Sequence, residues 1–149
     1  MTVITVEPAG VEDHADIADF IGQLYGASDY HLDRAGLAGR ADDMLAAGPV
    51  YFLSRAGQRL GYAALKDMGD HMFVRHFVID KAHRRKGVGS EAFAALERAC
   101  FSGRQVRLDA SIERSEPRAF WESQGFQIMG YSMRRDPGSD ALNAGGGTS

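Results

Sequence analysis

Apolar and polar positions recur along the chain with two periods, which predict where strands and helices lie. Residues 2–7 alternate apolar and polar side chains, as is typical of a strand with one buried face. Residues 13–25 and 34–47 are predicted helices. In the first of them the apolar side chains fall at helical spacing, at Ile17, Phe20, Ile21 and Leu24.

The middle of the chain predicts three consecutive strands. Residues 50–53 and 60–65 are apolar runs separated by turn residues 56–58, an arrangement typical of a β-hairpin. A second turn at residues 69–70 leads into a third strand that ends at Ile79. Together with the first strand, these elements predict a sheet with helices packed against it.

The last third of the chain predicts a further helix, a strand, a short helix and a final strand or bent pair of strands. The first helix has an apolar face and a stop signal at Gly103. That face comprises Val88, Ala92, Leu96, Ala99 and Cys100. The elements that follow are predicted over residues 105–110, 116–124 and 126–133, with Ser115 as the helix cap and Gly125 as its stop. The fold class is therefore α/β, with a mixed sheet.

Two segments are predicted to lack regular structure. Residues 26–33 are polar and aromatic, and we expect a loop that exposes Tyr30 and His31. Residues 136–149 are rich in Gly, Ser, Asn and Ala, which predicts a disordered tail after a domain that spans residues 1–135.

A basic, glycine-containing turn follows the strand that ends at Ile79, and it leads directly into a helix. Glycines at a helix start let backbone N–H groups approach a ligand, and the helix dipole favours an anion there. Basic side chains beside the turn add positive charge, so the pattern predicts a cradle for a diphosphate. The alternative is a solvated turn whose glycines serve only the backbone. The cradle residues are Arg84, Arg85, Lys86, Gly87, Val88, Gly89 and Ser90.

The spacing Arg84-x-x-Gly87-x-Gly89 resembles the [Arg/Gln]-x-x-Gly-x-[Gly/Ala] motif of the GNAT superfamily of N-acetyltransferases. Residues 120–126, with the sequence FWESQGF, resemble a second motif of that family, Phe-Tyr-Glu-x-x-Gly-Phe. The predicted order of strands and helices over residues 3–135 is also similar to that of the family. The chain is therefore identified as a member of this superfamily.

The resemblance implies acetyl-CoA as co-substrate. It implies that the strand carrying Phe77, Val78 and Ile79 bulges and splays from its neighbour, so that the pantetheine arm binds in the gap as a strand would. It adds these three residues and Trp121 to the predicted cofactor-binding set. The implied reaction is direct acetyl transfer to a primary amine of a small molecule, peptide or protein, in a ternary complex.

The resemblance leaves the catalytic acid and base open. Trp121 stands where the family usually has a Tyr acid, and an indole N–H is no acid at neutral pH. Tyr131 is a substitute candidate, although a thiolate leaving group needs no dedicated acid. His76, which we expect directly before the bulge, is the candidate base, against the alternative of a packed or solvent-facing histidine. Its competitors are Asp70, His71, Asp109 and a chain of water molecules.

Composition and charge narrow the classes of partner. Hydrophobic and charged fractions of 44% and 25% are typical of a globular protein, with no apolar run long enough to span a membrane. The single Cys100 predicts a reducing, cytoplasmic location. Residues 1–50 carry a net charge of −7 and the rest +4, which fits an anionic cofactor and a cationic substrate as well as a solvated acidic face.

Other classes are disfavoured. Outside residues 81–86 the sequence has no broad basic patch of the kind that binds nucleic acid, and its histidines are not spaced as metal ligands are. A homodimer is compatible with the sequence. Gly87-x-Gly89-x-x-Ala92 with Asp109 imitates a dinucleotide fingerprint, but seven residues separate it from the strand end. The stronger rival is a non-catalytic acyl-CoA-binding module on the same fold.

Overall fold

The computed structural model describes residues 3–26, 32–110 and 115–138. Two compact units divide the chain, unit 1 over Met1–Ser111 and unit 2 over Ile112–Ser149. No helix among the described residues combines the length and the apolar character that crossing a bilayer requires. The predicted loop residues Tyr30 and His31, and the predicted tail from residue 139 onward, lie outside the described residues.

The described residues of unit 1 form five strands and three α-helices, in the predicted order. The strands are β1 (Thr5–Pro8), β2 (Val50–Arg55), β3 (Gln58–Asp67), β4 (His71–Ile79) and β5 (Gln105–Leu108). The helices are α1 (His14–Tyr25), α2 (Arg34–Ala47) and α3 (Val88–Leu96). Short 3₁₀ turns occur at Val11–Asp13 and Lys81–His83. The predicted α/β class is confirmed, and the bounds of α2 agree with the prediction residue for residue.

The five strands form one sheet in the order β1-β2-β3-β4-β5. Pairing is antiparallel from β1 through β4, whereas β5 runs parallel to β4. A parallel neighbour requires a crossover connection, which α3 supplies. The sheet is therefore mixed, as the sequence predicts.

Helices cover both faces of the sheet. Helices α1 and α2 pack on one face, where Phe20 lies 6.2 Å from Phe52 and 6.1 Å from Tyr62 between ring centroids. Helix α3 packs on the other face, where Phe93 contacts Phe77 of β4 at 5.6 Å. Two buried faces explain why the central strands are apolar almost throughout.

A π-helical turn over Glu97–Phe101 continues α3, and it changes which side chains face inward. The prediction put Ala99 on the inner face, but Ala99 is exposed and Cys100 is only half-buried. Phe101 is buried instead and packs 5.7 Å from Phe93. The wider π turn inserts one residue, so the inner face passes from Leu96 to Phe101.

Unit 2 contains α4 (Ser115–Ser123) and an extended segment after it. Gly125 adopts a left-handed φ of 94°, and the Phe126 N–H donates to the Trp121 carbonyl at 3.1 Å, which ends the helix. The predicted final strand over residues 126–133 is wrong, because these residues form no ladder with any described strand. Four of its apolar side chains are exposed: Ile128, Met129, Tyr131 and Met133.

Candidate functional site

A β-bulge at Arg75 divides β4 into two halves. Ala64 of β3 pairs with His76, whereas the next residue, Leu65, pairs with Val74. Arg75 is therefore an extra residue without a counterpart on β3, and it makes the strand bend. The bulge that the family resemblance implies is present, but it precedes His76 instead of following it. We call His71–Val74 the paired half and His76–Ile79 the open half.

The bulge decides which way His76 faces. Adjacent residues of a strand point to opposite faces, so Ala64 and Leu65 do as well. Ala64 belongs to the core beneath α1 and α2, and His76 is its partner. In a regular strand Val74 and His76, two positions apart, would share a face, but at the bulge they pair with the adjacent residues Leu65 and Ala64 and so face opposite sides. The bulge thus turns His76 toward the helices α1 and α2, away from α3.

The two halves of β4 also differ in their neighbour on the β5 side. Residues Gln105–Leu108 of β5 pair with the paired half, and the ladder ends at Val74 and Leu108. The ladder with β3, by contrast, continues to Ile79. Among the described residues, β5 therefore does not cover the edge of the open half. The ladder thus ends where the resemblance implies that the two strands splay apart.

The side chains of the open half serve the core. Val78 is buried beneath α1 and α2, and Phe77 packs on Phe93. Ile79 pairs with Gly61, where a Cβ would meet the Val78 carbonyl oxygen at 2.6 Å. Gly61 thus permits the close approach of β3 to this half. What the open half can offer a ligand is its backbone edge, not these side chains.

Hydrogen bonds within the turn after β4, and from it to β4 and α1, hold the turn in place. The Asp80 carboxylate accepts from the Ala82 N–H at 3.0 Å, and the Arg84 Nε–H donates to the Ile79 carbonyl at 2.8 Å. The Lys81 N–H donates to the Gln23 side chain of α1 at 2.8 Å. Arg84 is thus tied to the end of β4, and only part of its guanidinium remains for a ligand.

The turn ends at Gly87, the N-cap of α3, in a left-handed conformation with φ 74°. L-residues adopt this region reluctantly, which explains the glycine. Nothing lies within 4 Å of a Cβ built at Gly87, so the space before α3 is open. The side chains of Arg84, Arg85 and Lys86 are exposed beside it.

The start of α3 combines the N-terminal end of a helix, open space and positive charge. The helix dipole puts partial positive charge at this end, where the backbone N–H groups of Val88 and Gly89 lie. Glu91 opposes an anion there, but its carboxylate accepts from Arg55 at 2.5 Å and is neutralised. These residues fit a diphosphate group.

His76 is the middle member of a hydrogen-bonded chain of three side chains, with Tyr62 on one side and Tyr25 on the other. The Tyr62 hydroxyl lies 2.8 Å from His76 Nδ1, and the Tyr25 hydroxyl lies 3.1 Å from Nε2. Tyr62 is fully buried, His76 is 8% exposed, and Tyr25, at the end of α1, is half-buried. The chain therefore leads from the interior toward solvent. We call it the tyrosine–histidine chain.

Burial governs the electrostatics of this chain. Burial, together with the positive charges of Arg75 and Arg40, lowers the pKa of His76 from 6.5 to about 4. Burial also raises the pKa of Tyr62 far above 10, with help from the neighbouring Tyr25. His76 is thus neutral and Tyr62 is protonated at physiological pH.

The remaining predicted residues are Trp121 and Tyr131 in unit 2 and Asp70, His71 and Asp109 in unit 1. Trp121 of unit 2 packs against Phe120 and Phe126, with centroids 4.8 and 5.4 Å away, and Tyr131 of the same unit is 75% exposed. His71 Nδ1 lies 2.7 Å from the Asp70 carboxylate at the start of the paired half. Asp109 is exposed after β5.

Sequence analysis did not select Tyr25 or Tyr62 as site residues. Both fall on predicted elements, but their common partner His76 is 51 positions from Tyr25 and 14 from Tyr62 in the sequence, and the three meet only in the folded protein. No local spacing signals such a contact. One signal could have pointed to this contact: Tyr25 and Tyr62 each put a polar hydroxyl group on a predicted element that is otherwise apolar, and a buried hydroxyl group needs a hydrogen-bond partner.

Among the described residues, no group of three or more His, Cys, Asp or Glu side chains is placed to hold a metal ion. A depression of about 230 Å³ lies beside α1 and is acidic. Two of its three carboxylates already have partners, since Asp16 binds Arg59 at 2.6 Å and Asp80 caps the turn. We assign no ligand to it.

Comparison with known proteins gives one family. A model of the acetyltransferase (GNAT) family matches residues 17–126. No curated protein matches the chain.

Solved structures share the fold at low sequence identity. A possible acetyltransferase from Clostridium difficile 630 superposes with a TM-score of 0.72 at 20% identity, over 93% of this chain and 99% of that chain. Aminoglycoside N-acetyltransferase AAC(6')-Iy, in complex with CoA, gives 0.69 at 14% identity over 93% and 97%. Ribosomal-protein-alanine N-acetyltransferase from Brucella melitensis biovar Abortus 2308 gives 0.68 at 15% over 91% and 100%.

Proposed function

Because the chain belongs to the GNAT family of acetyltransferases, with acetyl-CoA as the co-substrate, we propose that it acetylates a primary amine directly in a ternary complex. The acceptor is an amine of a small molecule, a peptide or a protein. The observation that carries this proposal is the coincidence of two features at one end of β4. The uncovered edge of the open half and the start of α3 are joined by a single turn of eight residues, 80–87.

These two features suit the two ends of acetyl-CoA. The diphosphate fits the open space before α3, where helix donors and exposed basic side chains converge. The pantetheine arm carries amide groups that can bond to a strand edge, as a peptide does when it adds to a sheet. The residues that hold the cofactor are the backbone of Phe77, Val78 and Ile79, and the turn from Arg84 to Ser90.

Acetyl-CoA supplies an acyl group already activated as a thioester. The protein's part is then to bind, orient and polarise, which reduces the barrier without a covalent enzyme intermediate. Cys100 is unsuited as a nucleophile, because burial raises the pKa of its thiol and it lies on the π turn after α3.

A second candidate function is an acyl-CoA-binding module without turnover. Trp121 in place of the family's usual Tyr is the observation that favours it, because an indole cannot supply a proton. The two functions share the cofactor site and differ only in whether an amine reacts there.

A screen of amine acceptors separates the two functions. Free-thiol release from acetyl-CoA is followed with small polyamines, amino acids, aminoglycosides and N-terminal peptides, beside calorimetric binding of acetyl-CoA alone. We expect binding, and thiol release that one class of amine accelerates well above hydrolysis. Binding without acceleration by any amine identifies the binding module, and no binding at all rejects both functions.

A further inference from the structure

We propose that Arg55, at the end of β2, is a positioning residue of the cofactor site, which holds and neutralises the Glu91 carboxylate so that the start of α3 accepts a diphosphate. The inference rests on the proposed binding of acetyl-CoA, and it adds to that site a residue that lies outside the basic turn. It concerns the affinity for the cofactor and not the chemical step.

Glu91 places a negative charge in the first turn of α3, where the diphosphate is assigned. Helical side chains tilt toward the N-terminus of their helix, so this side chain leans toward the anion site. A carboxylate in the first turn stabilises the helix through the helix dipole, but the same charge opposes an anion that binds there. The cofactor site therefore requires a positive partner for Glu91.

Arg55 supplies that partner from another element. Its Nη2–H group donates to the Glu91 carboxylate at 2.5 Å, although the two residues are 36 positions apart in the sequence. Gln58, which pairs with Arg55 on β3, has its side-chain nitrogen 3.3 Å from Nε2 of His83 in the turn after β4. Arg55 thus lies at the same end of the sheet as the basic turn and the start of α3.

Fold stability does not account for this ion pair. A partly exposed ion pair contributes little to folding, and α3 is already held by buried Val88, Ala92 and Phe93. The Arg55 Nε is buried and has no hydrogen-bond partner within the described part of the chain, which is a cost to the folded state. What the guanidinium gains in this position is its contact with Glu91, beside the cofactor site.

A double-mutant cycle tests the pair, with calorimetric titration of acetyl-CoA into the full chain at low ionic strength. Arg55→Met keeps an unbranched stem and removes the charge, and it should bind about tenfold more weakly because Glu91 is then uncompensated. Glu91→Gln alone should bind at least as tightly as wild type. The double variant should return to within about threefold of wild type, since no bare carboxylate remains. High salt should reduce the loss in Arg55→Met.

Arg104 and Asp67 form the matched control. Their ion pair is 2.7 Å long, and the side-chain exposures are 28% and 59%, against 33% and 45% for Arg55 and Glu91. Asp67 ends β3, whereas the basic turn lies by Gln58 at the opposite end of that strand. Arg104→Met should therefore keep the acetyl-CoA affinity within about twofold of wild type. Thermal melting verifies that every variant is folded.

Inorganic pyrophosphate is the second probe, because it isolates the diphosphate from the rest of the cofactor. The backbone amide resonances of residues 87–91 are followed as pyrophosphate is added. We expect shifts in the wild type, binding about tenfold weaker in Arg55→Met, and recovery in the double variant.

Three outcomes overturn the proposal. They are wild-type affinity in Arg55→Met, an equal loss in Arg104→Met, and a loss that persists in the double variant, as expected if Arg55 contacts the cofactor directly. All three leave the proposed function intact, since the wild type still binds acetyl-CoA. If the proteins bind pyrophosphate in the expected order but the wild type does not bind acetyl-CoA, the proposed function fails and the role of the pair stands. Binding of neither probe rejects both.

Discussion

The two halves of β4 are built from similar residues but differ in their neighbours in the sheet. The paired half, His71–Val74, is hydrogen-bonded to β3 and β5 and is ordinary sheet. The open half, His76–Ile79, is paired with β3 but not with β5, and it ends at the basic turn. One inserted residue, Arg75, separates them. The difference teaches that an uncovered backbone edge can occur within a central strand without changing the apolar character of that strand.

Removing the inserted residue should break this difference, with the largest effect. Deleting Arg75 makes Val74 and His76 adjacent, so they keep opposite faces while β4 becomes regular. We expect a folded protein that binds acetyl-CoA roughly a thousandfold more weakly, or about 4 kcal/mol, because the edge is closed. Calorimetric titration measures this loss. Arg75→Ala, which keeps the bulge, should bind within a few-fold of wild type; equal losses in both variants would assign the effect to the side chain.

Lowering the pH should destabilise the folded protein, because His76 of the open half becomes protonated. The folded pKa of about 4 lies below the ordinary 6.5, so the folded state binds this proton more weakly than the unfolded state does. The stabilisation is complete above pH 6.5 and is lost between pH 6.5 and about 4, by about 3 kcal/mol.

Urea unfolding at several pH values measures this loss. In His76→Gln the decrease in stability over that range should be about 3 kcal/mol smaller than in wild type. An identical pH dependence in both proteins would contradict the buried, neutral histidine.

Alanine substitutions at two glycines, each with open space around its Cα, test whether the diphosphate binds at the start of α3. Gly87→Ala puts a Cβ on a residue with φ 74°, which costs about 1–2 kcal/mol, and narrows the space assigned to the diphosphate. Gly39→Ala in α2 is the matched control, since nothing lies within 4 Å of its Cβ and its φ is ordinary. It should stabilise the protein by about 0.5–1 kcal/mol. Only Gly87→Ala should also weaken acetyl-CoA binding, by about tenfold. An unchanged affinity of Gly87→Ala for acetyl-CoA would show that the diphosphate does not bind at the start of α3.

The smallest effects separate two basic residues of the turn. Arg84 is anchored to Ile79, whereas Lys86 is exposed without such a bond. Arg84→Ala should weaken acetyl-CoA binding about tenfold at any ionic strength, because it loosens the turn as well as removing charge. Lys86→Ala should weaken it only a few-fold, and less in high salt. The same salt dependence in both variants would show that Arg84 acts by charge alone.

The sequence predicted the order of elements in unit 1 because its signals are local. Helical spacing in α1, the hairpin turn before β3 and the glycines before α3 each act within a few residues. The bulge at Arg75 could be anticipated only from the family resemblance, and its place was missed by a residue or more. Its position depends on how β4 pairs with β3, which no local pattern records.

The failures have the same cause. Residues 126–133 have strand-forming side chains, but a strand requires a hydrogen-bonded neighbour, and the described residues provide none. The inner face after Leu96 was mistaken because one π turn shifts the register. The tyrosine–histidine chain joins α1, β3 and β4, so it exists only in the folded protein. Non-local contacts are what the sequence pattern leaves undetermined.

Amide hydrogen exchange, with and without acetyl-CoA, tests most directly whether the open half is the cofactor's edge. Exchange is followed residue by residue in the wild-type chain, at saturating acetyl-CoA and, as a control, with NAD at the same concentration. The account predicts slower exchange in the open half and at the start of α3 with acetyl-CoA, no change in the paired half, and no change with NAD. Protection confined to other segments, or equal protection of both halves of β4, would contradict it.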